Sequence, residues 1–390
     1  MMKKNIVHVV NLSDFGGVER LLSDNFLFNQ DAQHTIINTS NQINPALAQF
    51  DTEVCYATRI IQHKRWQYPA FLRKKALWNK IKKLNPSHVV IWNQIVSLAD
   101  KPDAIKAIYY DHGAAWELND NAKVRRFFHE IDGCISVSLA SKKILQHRFS
   151  PNGSIAVVLN GVKMPPHNLA LAHPKQHSES MTELVIGCAA RLTPLKALGI
   201  LPLIAEQLNQ RNVHARFILA GDGEERPALE ALIQKKNLSA QFEIRGFVRD
   251  MASFYQDINL YISPSAHETC SLSCIEAMSY GVPVIASNID GQPEIVENGV
   301  TGYCIPALLD QDDYCQQTGM AAPFNNVIYY PDNDRIDKAR LMSPVAAAEK
   351  IQALDPRTLA SFSEHAAKRA HHLFNIDNFR SLLISTIKNF

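Results

Sequence analysis

The sequence lacks a long apolar run. No stretch approaches the ~20 apolar residues that a membrane-spanning helix needs, and the first apolar run covers only residues 6–10. That run is too short for the core of a signal peptide, so we interpret it as a first β-strand. We therefore expect a cytoplasmic chain with no leader and no transmembrane segment.

Cysteine is present but lacks the spacing of a disulfide or zinc scaffold. The seven cysteines are an odd number and include no Cys-x-x-Cys pair. This pattern indicates reduced thiols and argues against structural zinc. The letters Asp310-Gln-Asp312 have the form of a metal motif, but they fall in a segment with no assigned role. We assign no metal to the chain.

Net charge is also small, at a formal +2, but it is unevenly distributed. Residues 1–170 hold 21 Lys and Arg against 13 Asp and Glu, which leaves +8 there and −6 in the remainder. We find no nucleic-acid-binding module, so the basic first half indicates an anionic acceptor or a membrane surface.

The length of 390 residues and the repeated strand and helix patterns predict two α/β domains. We place the first domain at residues 1–164, a Pro-, His- and Ser-rich linker at 165–180, and the second domain at 181–375. Residues 307–343 form an insertion in that second domain for which the sequence offers no firm account. A last helix is predicted over 376–390, and a return of this helix to the first domain is one interpretation.

The most informative stretch runs from residue 261 to 302 and contains two glutamates eight positions apart, Glu268 and Glu276. An apolar strand leads into a turn, and small residues precede a helix. A helix N-terminus presents unpaired amides and the positive end of a dipole, so a phosphate can bind close to it. The pattern indicates capture of a diphosphate, with Glu276 in reach of a ribose. Ser273 to Glu276 also matches a capping box, which leaves a purely structural role for Glu276 open.

Two cations follow the strand predicted at Leu184 to Ala189. Arg191 and Lys196 are five positions apart, just beyond that strand end. Such a pair can hold both phosphates of a nucleoside diphosphate, Arg with a planar fork of donors and Lys as a point charge.

Together these motifs resemble the Glu-x7-Glu signature of retaining glycosyltransferases of family 4, which have the GT-B fold. The resemblance implies that Glu268 lies beside the transferred sugar and the diphosphate and that Glu276 binds the ribose. The family's usual Gly-Phe-Gly-Leu is replaced by residues 269–272. Because these residues are small, the resemblance still implies donor contacts at Ser271 and Leu272.

Further donor-binding residues are implied by the same resemblance. A Gly-Gly-x-Glu-Arg motif after the first strand assigns Gly16 and Gly17 to the donor loop. A Gly-x-Gly turn at the border of the donor pocket corresponds to Gly221 and Gly223. A strand predicted over Ile244 to Val248 would read the base through its backbone, and its donor-binding candidates are Arg245, Phe247 and Val248.

One histidine of the first domain is a further site candidate. His112 follows the strand predicted at Ala107 to Tyr110 and stands beside Gly113. By position alone it could be an ordinary hydrogen-bonded loop histidine. In the family a histidine at this point faces the donor sugar, so we count His112 among the candidate catalytic residues with Glu268, Arg191 and Lys196.

Residues 63–83 combine basic and aromatic side chains on a predicted helix. One interpretation is an interfacial helix anchored in a membrane surface by Trp66, Tyr68 and Trp78. The alternative is a solvated face on a helix that covers the sheet.

The resemblance as a whole implies two Rossmann-like doubly wound domains that face one cleft. The second domain would hold a nucleotide-diphosphate sugar, and the first would hold a glycan or lipid-linked acceptor. We expect metal-independent transfer of a hexose-type sugar to a hydroxyl, with retention, in polysaccharide, lipopolysaccharide or glycolipid biosynthesis at the inner face of the cell membrane. Glu268 could act as a double-displacement nucleophile, but front-face departure assisted by the diphosphate is favoured. The alternatives are a nucleotide-sugar 2-epimerase and a non-catalytic binding partner.

Overall fold

The computed structural model describes residues 5–13, 21–22, 32–47, 54–166, 183–324 and 326–390. The chain divides into two compact units: unit 1 comprises Met1–Lys163 with Ile376–Phe390, and unit 2 comprises Met164–Asn375. From residue 167 onward, the linker predicted at 165–180 lies outside the described residues.

Unit 1 is built on a parallel sheet. In its described part seven strands have the order β3-β2-β1-β4-β5-β6-β7. The strands are β1 (Asn5–Val10), β2 (Gln33–Asn38), β3 (Val54–Tyr56), β4 (His88–Trp92), β5 (Lys106–Asp111), β6 (Gly133–Ser136) and β7 (Ser154–Val157). The central strands are apolar and buried on both faces, as expected for a parallel sheet covered by helices.

The helices of unit 1 connect and cover these strands. Among the described residues, the helices with both ends defined are α1 (Ala70–Leu84), α2 (Ala114–Glu117), α3 (Ala122–Glu130), α4 (Leu139–Phe149) and, after unit 2, α13 (Ile376–Lys388), with a 3₁₀ turn at Pro45–Leu47. Helix α4 shows how the sequence starts a helix here, because the Ser138 hydroxyl accepts the amide hydrogen of Ser141 at 3.1 Å.

The structure of helix α1 corrects one part of the interfacial-helix interpretation of residues 63–83. Trp78 is not an interfacial anchor, since it is 1% exposed and its indole N–H donates to the Ser97 carbonyl at 2.6 Å. Tyr68 is half-buried, whereas Trp66 and Phe71 are exposed. The buried Trp78 fixes one face of the helix to the unit, so only the opposite face is available for a partner.

Unit 2 repeats the architecture with a different set of strands. Its described part has six parallel strands in the order β10-β9-β8-β11-β12-β13. They are β8 (Leu184–Ala189), β9 (Ala215–Ala220), β10 (Phe242–Ile244), β11 (Leu260–Ser263), β12 (Val284–Ser287) and β13 (Gly302–Ile305). The strand predicted over Ile244 to Val248 instead ends at Ile244. Gly246 follows with a φ of +67° and pairs with Gly221 in an isolated antiparallel bridge.

The helices of unit 2 are short between strands and longer at its end. In the described part of this unit they are α5 (Ile200–Gln210), α6 (Arg226–Lys235), α7 (Met251–Asp257), α8 (Leu272–Ser279), α9 (Gln292–Ile295), α10 (Gln311–Thr318), α11 (Pro344–Gln352) and α12 (Pro356–Leu373). Single 3₁₀ turns occur at Pro194–Lys196, Ser239–Gln241 and Pro331–Asn333. The apolar faces of α5, α6, α10 and α11 form one buried core with the sheet residues that face them.

The insertion at residues 307–343 folds into structure of its own. Besides α10, it contains β14 (Ala307–Leu309), β15 (Val327–Tyr330), β16 (Arg335–Lys338) and β17 (Leu341–Met342). β14 pairs with β17 and β15 pairs with β16, both antiparallel. Ala307, Ile328 and Ala339 of the insertion bury a small apolar cluster together with Ile289, which lies just after β12. The insertion is therefore packed onto the end of a sheet strand.

Candidate active site

The candidate site of unit 2 lies where the strand order of the sheet reverses. β8 and β11 are neighbours in the sheet. The chain continues from β8 to β9 toward one edge of the sheet and from β11 to β12 toward the other edge. A crevice opens at the carboxyl ends of the strands at such a point, which is where α/β proteins bind ligands. The loop after β8 carries Arg191 and Lys196, and the loop after β11 carries Glu268.

Lys196 and Glu268 form an ion pair across this crevice. The Lys196 Nζ lies 2.6 Å from the Glu268 Oε2, and the two side chains are 25% and 16% exposed. A backbone hydrogen bond from the Ala266 amide to the Leu195 carbonyl, at 3.0 Å, joins the two loops beside them. The structure thus brings together two of the predicted catalytic residues, which are 72 positions apart in the sequence.

The charge state of Lys196 is set by two opposing effects. Burial lowers the pKa of Lys196, but the charge of Glu268 and the hydrogen bond to it raise that pKa by more, so the net shift is upward. Lys196 therefore remains protonated at neutral pH. A fixed ammonium in a half-buried position is suited to an anionic ligand, because solvent screens it only in part.

Arg191 supplies a second, more accessible cation. It is exposed, and among the described residues its side chain makes no ion pair. Lys196 is the last residue of the turn Pro194–Lys196, and the C-cap of this turn, Ala197, is fully buried and has a left-handed φ of +48°. An alanine in this conformation costs about 1–2 kcal/mol.

Helix α8 begins beside the ion pair. Its N-cap is Ser271, whose side chain makes no capping hydrogen bond, and the first helical residue is Leu272. Ser273 therefore lies inside the helix, so the capping-box interpretation of Ser273 and Glu276 is wrong. The amides of the first turn are not capped by a side chain and are available to an anion.

Glu276 lies on the second turn of α8 and faces Tyr255. The Tyr255 hydroxyl donates to the Glu276 Oε2 at 3.2 Å, and the Tyr255 ring stacks on Tyr280 with centroids 5.1 Å apart. Burial and the nearby Glu276 charge raise the pKa of Tyr255 well above its ordinary value. Glu276 is half-buried, so a carboxylate on this side of the crevice has a defined orientation.

The predicted glycines of unit 2 allow the loops to approach closely. A Cβ on Gly221 would lie 1.8 Å from the Ala190 carbonyl oxygen, and its φ is +139°. A Cβ on Gly223 would lie 2.3 Å from the Leu192 carbonyl oxygen. Only glycine fits at these two positions, because in each case the obstacle is backbone of the loop that carries Arg191.

The residues predicted to contact the base lie beyond β10. Phe247 is 80% exposed, Val248 is half-buried, and Arg245 is ion-paired with Glu243 and Asp257. The Gly221 amide donates to the Gly246 carbonyl at 2.7 Å, which ties this segment to the glycine turn.

Two residues that the sequence analysis did not identify hold the Glu268 loop. The Asp290 Oδ2 accepts hydrogen bonds from the His267 Nδ1 at 2.7 Å and from the Glu268 amide at 3.3 Å. Both side chains are buried, with His267 8% and Asp290 0% exposed. The adjacency of His267 to Glu268 was a possible signal, but its partner is 23 positions away and belongs to no motif.

His112 belongs to unit 1, where it lies at the carboxyl end of β5. Its ring stacks on Trp92 with centroids 5.1 Å apart and contacts Tyr110. Burial lowers the pKa of His112 to about 3. Its Nε2 is buried and has no hydrogen-bond partner among the described residues. His112 is thus a neutral ring with one open hydrogen-bonding position.

The remaining predictions concern the donor loop, metals and thiols. Gly16 and Gly17 lie outside the described residues. Within the described residues, no cluster of three or more His, Cys, Asp or Glu is arranged to hold a metal ion. The seven cysteines are free thiols. In the part of the chain that the structure describes, no helix is both long and apolar enough to span a membrane.

The two parallel α/β sheets and the strand-end site assign the chain to the GT-B fold class. A solved structure supports this: HepE from Anabaena, in complex with UDP and glucose, aligns with a TM-score of 0.68 at 18% identity, over 99% of this chain and 100% of that one. The fold class predicted from the sequence is confirmed.

The family follows from the sequence of unit 2. Residues 171–316 match the family described as glycosyl transferases group 1, and the family resemblance is confirmed. The poly(ribitol-phosphate) alpha-N-acetylglucosaminyltransferase of Staphylococcus aureus is 28% identical over 45% of this chain, but the match spans only 34% of that relative. An uncharacterized glycosyltransferase of Haemophilus influenzae is 24% identical over 90% of this chain and 98% of its own length.

Proposed function

We propose that this chain is a retaining glycosyltransferase that moves a hexose-type sugar from a nucleotide-diphosphate sugar to a hydroxyl group. The observation that carries the proposal is the Lys196–Glu268 ion pair at 2.6 Å, formed between the loops that follow β8 and β11. A carboxylate paired with a cation that serves the diphosphate lies on the leaving-group side of the donor. This favours front-face departure over a double-displacement nucleophile, which must attack from the opposite face.

In this mechanism the main catalytic effect is that cationic side chains stabilise the departing diphosphate. Negative charge grows on the diphosphate as the glycosidic bond breaks, and preorganised donors stabilise such charge most effectively. Lys196 and Arg191 would supply two positive charges, and the uncapped amides of α8 would supply hydrogen bonds. Because these groups are all protein groups, we propose that transfer needs no divalent metal. Glu276, oriented by Tyr255, would bind the ribose hydroxyls.

The donor and acceptor are proposed from the similar proteins and from the chemistry of unit 1. HepE is in complex with UDP and glucose, so a UDP-hexose is the first donor to test. The Staphylococcus aureus relative acts on poly(ribitol-phosphate). We propose an acceptor hydroxyl on a polysaccharide, lipopolysaccharide or glycolipid. The neutral His112 ring, with its open Nε2, is suited to a sugar hydroxyl and not to a phosphate.

We also propose a peripheral contact of unit 1 with anionic lipid at the inner face of the cell membrane. Trp66 and Phe71 are 64% and 80% exposed, and exposed lysines at positions 74, 75, 82 and 83 lie on or beside the same helix. Exposed aromatic side chains next to lysines are typical of interfacial surfaces. The exposed aromatic side chains and the lysines beside them therefore support a lipid contact. The buried Trp78 takes no part in this contact.

The test combines ligand binding with transfer. A thermal-shift screen of nucleoside diphosphates should find one that stabilises the chain, since saturation at 100 times the dissociation constant adds about 2.7 kcal/mol. Transfer from the matching sugar should then persist in excess EDTA. Loss of transfer in EDTA with recovery on adding magnesium would overturn the metal-independent mechanism. Sugar epimerisation without an acceptor would instead identify an epimerase, and binding without any turnover would identify a non-catalytic partner.

A further inference from the structure

The Glu268 loop is held by a buried network that involves the insertion. We propose that Asp290, His267 and the insertion at residues 307–343 form a positioning device that orients Glu268. The inference rests on the proposed function, because it assigns the device to the site of sugar transfer. We call Asp290 and His267 the clamp.

Asp290 and the residue that follows it hold the backbone of Glu268 on both sides. The Asp290 Oδ2 accepts the Glu268 amide hydrogen at 3.3 Å, and the Gly291 amide donates to the Glu268 carbonyl at 3.2 Å. With both polar backbone groups engaged by adjacent residues, the loop has little freedom to rotate. The side chain of Glu268 then reaches Lys196 from a fixed starting point.

The backbone of Asp290 adopts a conformation that is unfavourable for a residue other than glycine. It is buried and has a left-handed φ of +47°, which residues other than glycine adopt rarely. Strained backbone of this kind persists where the surroundings hold it, and it is concentrated at functional sites. Here three donors hold the carboxylate: the His267 ring, the Glu268 amide and the Tyr329 amide at 2.9 Å.

The insertion at residues 307–343 contacts both Asp290 and His267. Tyr329 of β15 accepts the Asp290 amide hydrogen at 2.8 Å through its carbonyl, so the two residues are bonded in both directions. Phe324 stacks on the His267 ring, with centroids 4.8 Å apart and planes 9° from parallel. The buried Gln311 side chain bonds both the amide and the carbonyl of Phe324. The insertion therefore contacts each member of the clamp.

The proton between the clamp residues is assigned by the same contacts. An ionised carboxylate only accepts hydrogen bonds, so the His267 Nδ1 carries the proton in this arrangement. Asn at position 290 has nearly the same shape and also tolerates a left-handed conformation. It offers one oxygen in place of two, so it cannot serve all three donors.

The decisive variant is Asp290→Asn, with Phe324→Leu as a second variant on the insertion side. We expect Asp290→Asn to lower the transfer rate at saturating UDP-sugar by about 10-fold to 100-fold, because misplacement of a reacting group by 1 Å costs rates of this order. UDP affinity measured by calorimetry should change less than twofold, since Arg191 and Lys196 are intact. Phe324→Leu should also lower the transfer rate, by a smaller factor, and leave the UDP affinity nearly unchanged. Equal losses in rate and UDP affinity, or an unchanged rate in both variants, would overturn the inference.

Tyr330→Phe is the matched control. It removes a hydroxyl that donates to the Lys338 carbonyl and accepts from the Arg340 amide. The substitution removes two hydrogen bonds within the insertion and none to Asp290 or His267. Its transfer rate should equal that of the wild type, and a loss as large as that of Asp290→Asn would show a merely structural role.

Hydrogen–deuterium exchange separates this inference from the proposed function. The Glu268 amide should exchange at least tenfold faster in Asp290→Asn than in the wild type, and Tyr330→Phe should not change it. If no donor supports transfer by the wild type, the proposed function fails while this exchange result still tests the clamp. Equal exchange in the wild type and Asp290→Asn would overturn the clamp itself.

Discussion

The two units have the same sheet architecture but opposite chemistry at their strand ends. In unit 2 the loops after β8 and β11 present charge: Lys196 paired with Glu268, and Arg191 exposed beside them. In unit 1, β1, β4 and the end of β5 present rings, and Trp92 contacts both His8 and His112. A parallel sheet thus supplies the location of a site, whereas the loop residues decide its chemistry.

The ring cluster of unit 1 is uncharged for a physical reason. Burial lowers the pKa of His8 well below its ordinary value, that of His34 to about 4 and that of His112 to about 3. The Trp92 indole N–H donates to the His8 Nδ1 at 3.1 Å, and the His8 Nε2 lies 3.0 Å from the His34 Nδ1. Neutral rings in contact can pack tightly without a counter-ion. The site of unit 2 is therefore charged, whereas the ring cluster of unit 1 is neutral.

The largest expected effect tests the charged site of unit 2. Lys196→Ala should lower the transfer rate by about 100-fold to 1,000-fold, the usual loss when one preorganised donor to a developing charge is removed. The assay is initial-rate transfer from the nucleotide sugar that binds best. Lys236→Ala is the matched control, because Lys236 also lies 2.6 Å from a glutamate, Glu206, in the same unit. Equal losses in both variants would show that the Lys196 pair serves stability alone.

The second prediction concerns the accessible cation. Arg191→Ala should weaken binding of the nucleoside diphosphate by about 10-fold to 100-fold, because a charge-assisted bond to phosphate contributes about 1.5–3 kcal/mol. Calorimetry measures the affinity. The melting midpoint without ligand should not change, since an exposed cation contributes little to folding.

Arg357→Ala is the control for this prediction. Arg357 is an exposed arginine of unit 2, in the first turn of α12. Its loss should leave both the affinity and the melting midpoint unchanged. Weaker binding in Arg357→Ala would indicate a general field of positive charge and would remove the special role of Arg191.

The third prediction tests the neutral rings of unit 1 by pH. The unfolded histidines titrate near ~6.5, above the folded pKa values of His34 and His112, so the unfolded chain binds more protons below that pH. The free energy of unfolding should therefore fall as pH falls from about 6.5 toward 3. From pH 7.5 to pH 5.5, each such histidine should raise the unfolding constant roughly tenfold.

Tryptophan fluorescence measures this effect in unit 1 alone, because all four tryptophans lie between residues 66 and 116. Urea unfolding at pH 7.5 and 5.5 is compared for the wild type and His112→Gln, whose pH dependence should be weaker. His63→Gln is the control, since His63 is exposed. A pH dependence that is the same in all three proteins would contradict the neutral-ring account.

The smallest expected effect concerns the exposed face of α1. Phe71→Ala should reduce sedimentation with anionic vesicles severalfold at low salt, because part of the apolar area of one aromatic ring no longer enters the interface. Phe247→Ala is a closely matched control, since both rings are 80% exposed and Phe247 lies in unit 2. Replacing Lys74, Lys75, Lys82 and Lys83 with Gln should remove the salt-sensitive part. Unchanged sedimentation in both the Phe71 and the lysine variants would leave α1 as a solvated face.

Local patterns in the sequence were sufficient to predict several strands of the two parallel sheets and to select candidate site residues. The runs predicted for β8 and β5 are short and apolar and are bounded by polar residues, and this local pattern does not depend on distant contacts. Lys196 and Glu268 were identified because each stands at a fixed distance from a strand end within a motif. The boundary of β10 was missed, because Gly246 adopts its left-handed conformation only in the bridge to Gly221.

Only the tertiary structure decided how distant residues meet. His267 and Asp290 pair across 23 positions, and the insertion that holds them has no pattern of its own in the sequence. One of the two interpretations of residues 63–83 made Trp78 a surface anchor, but the packing of α1 against Ser97 buries it. Such contacts depend on which faces of separate elements pack together, and burial in turn sets the charge of His112. The sequence alone therefore determined the elements and the motif residues, whereas the fold determined their partners and their protonation.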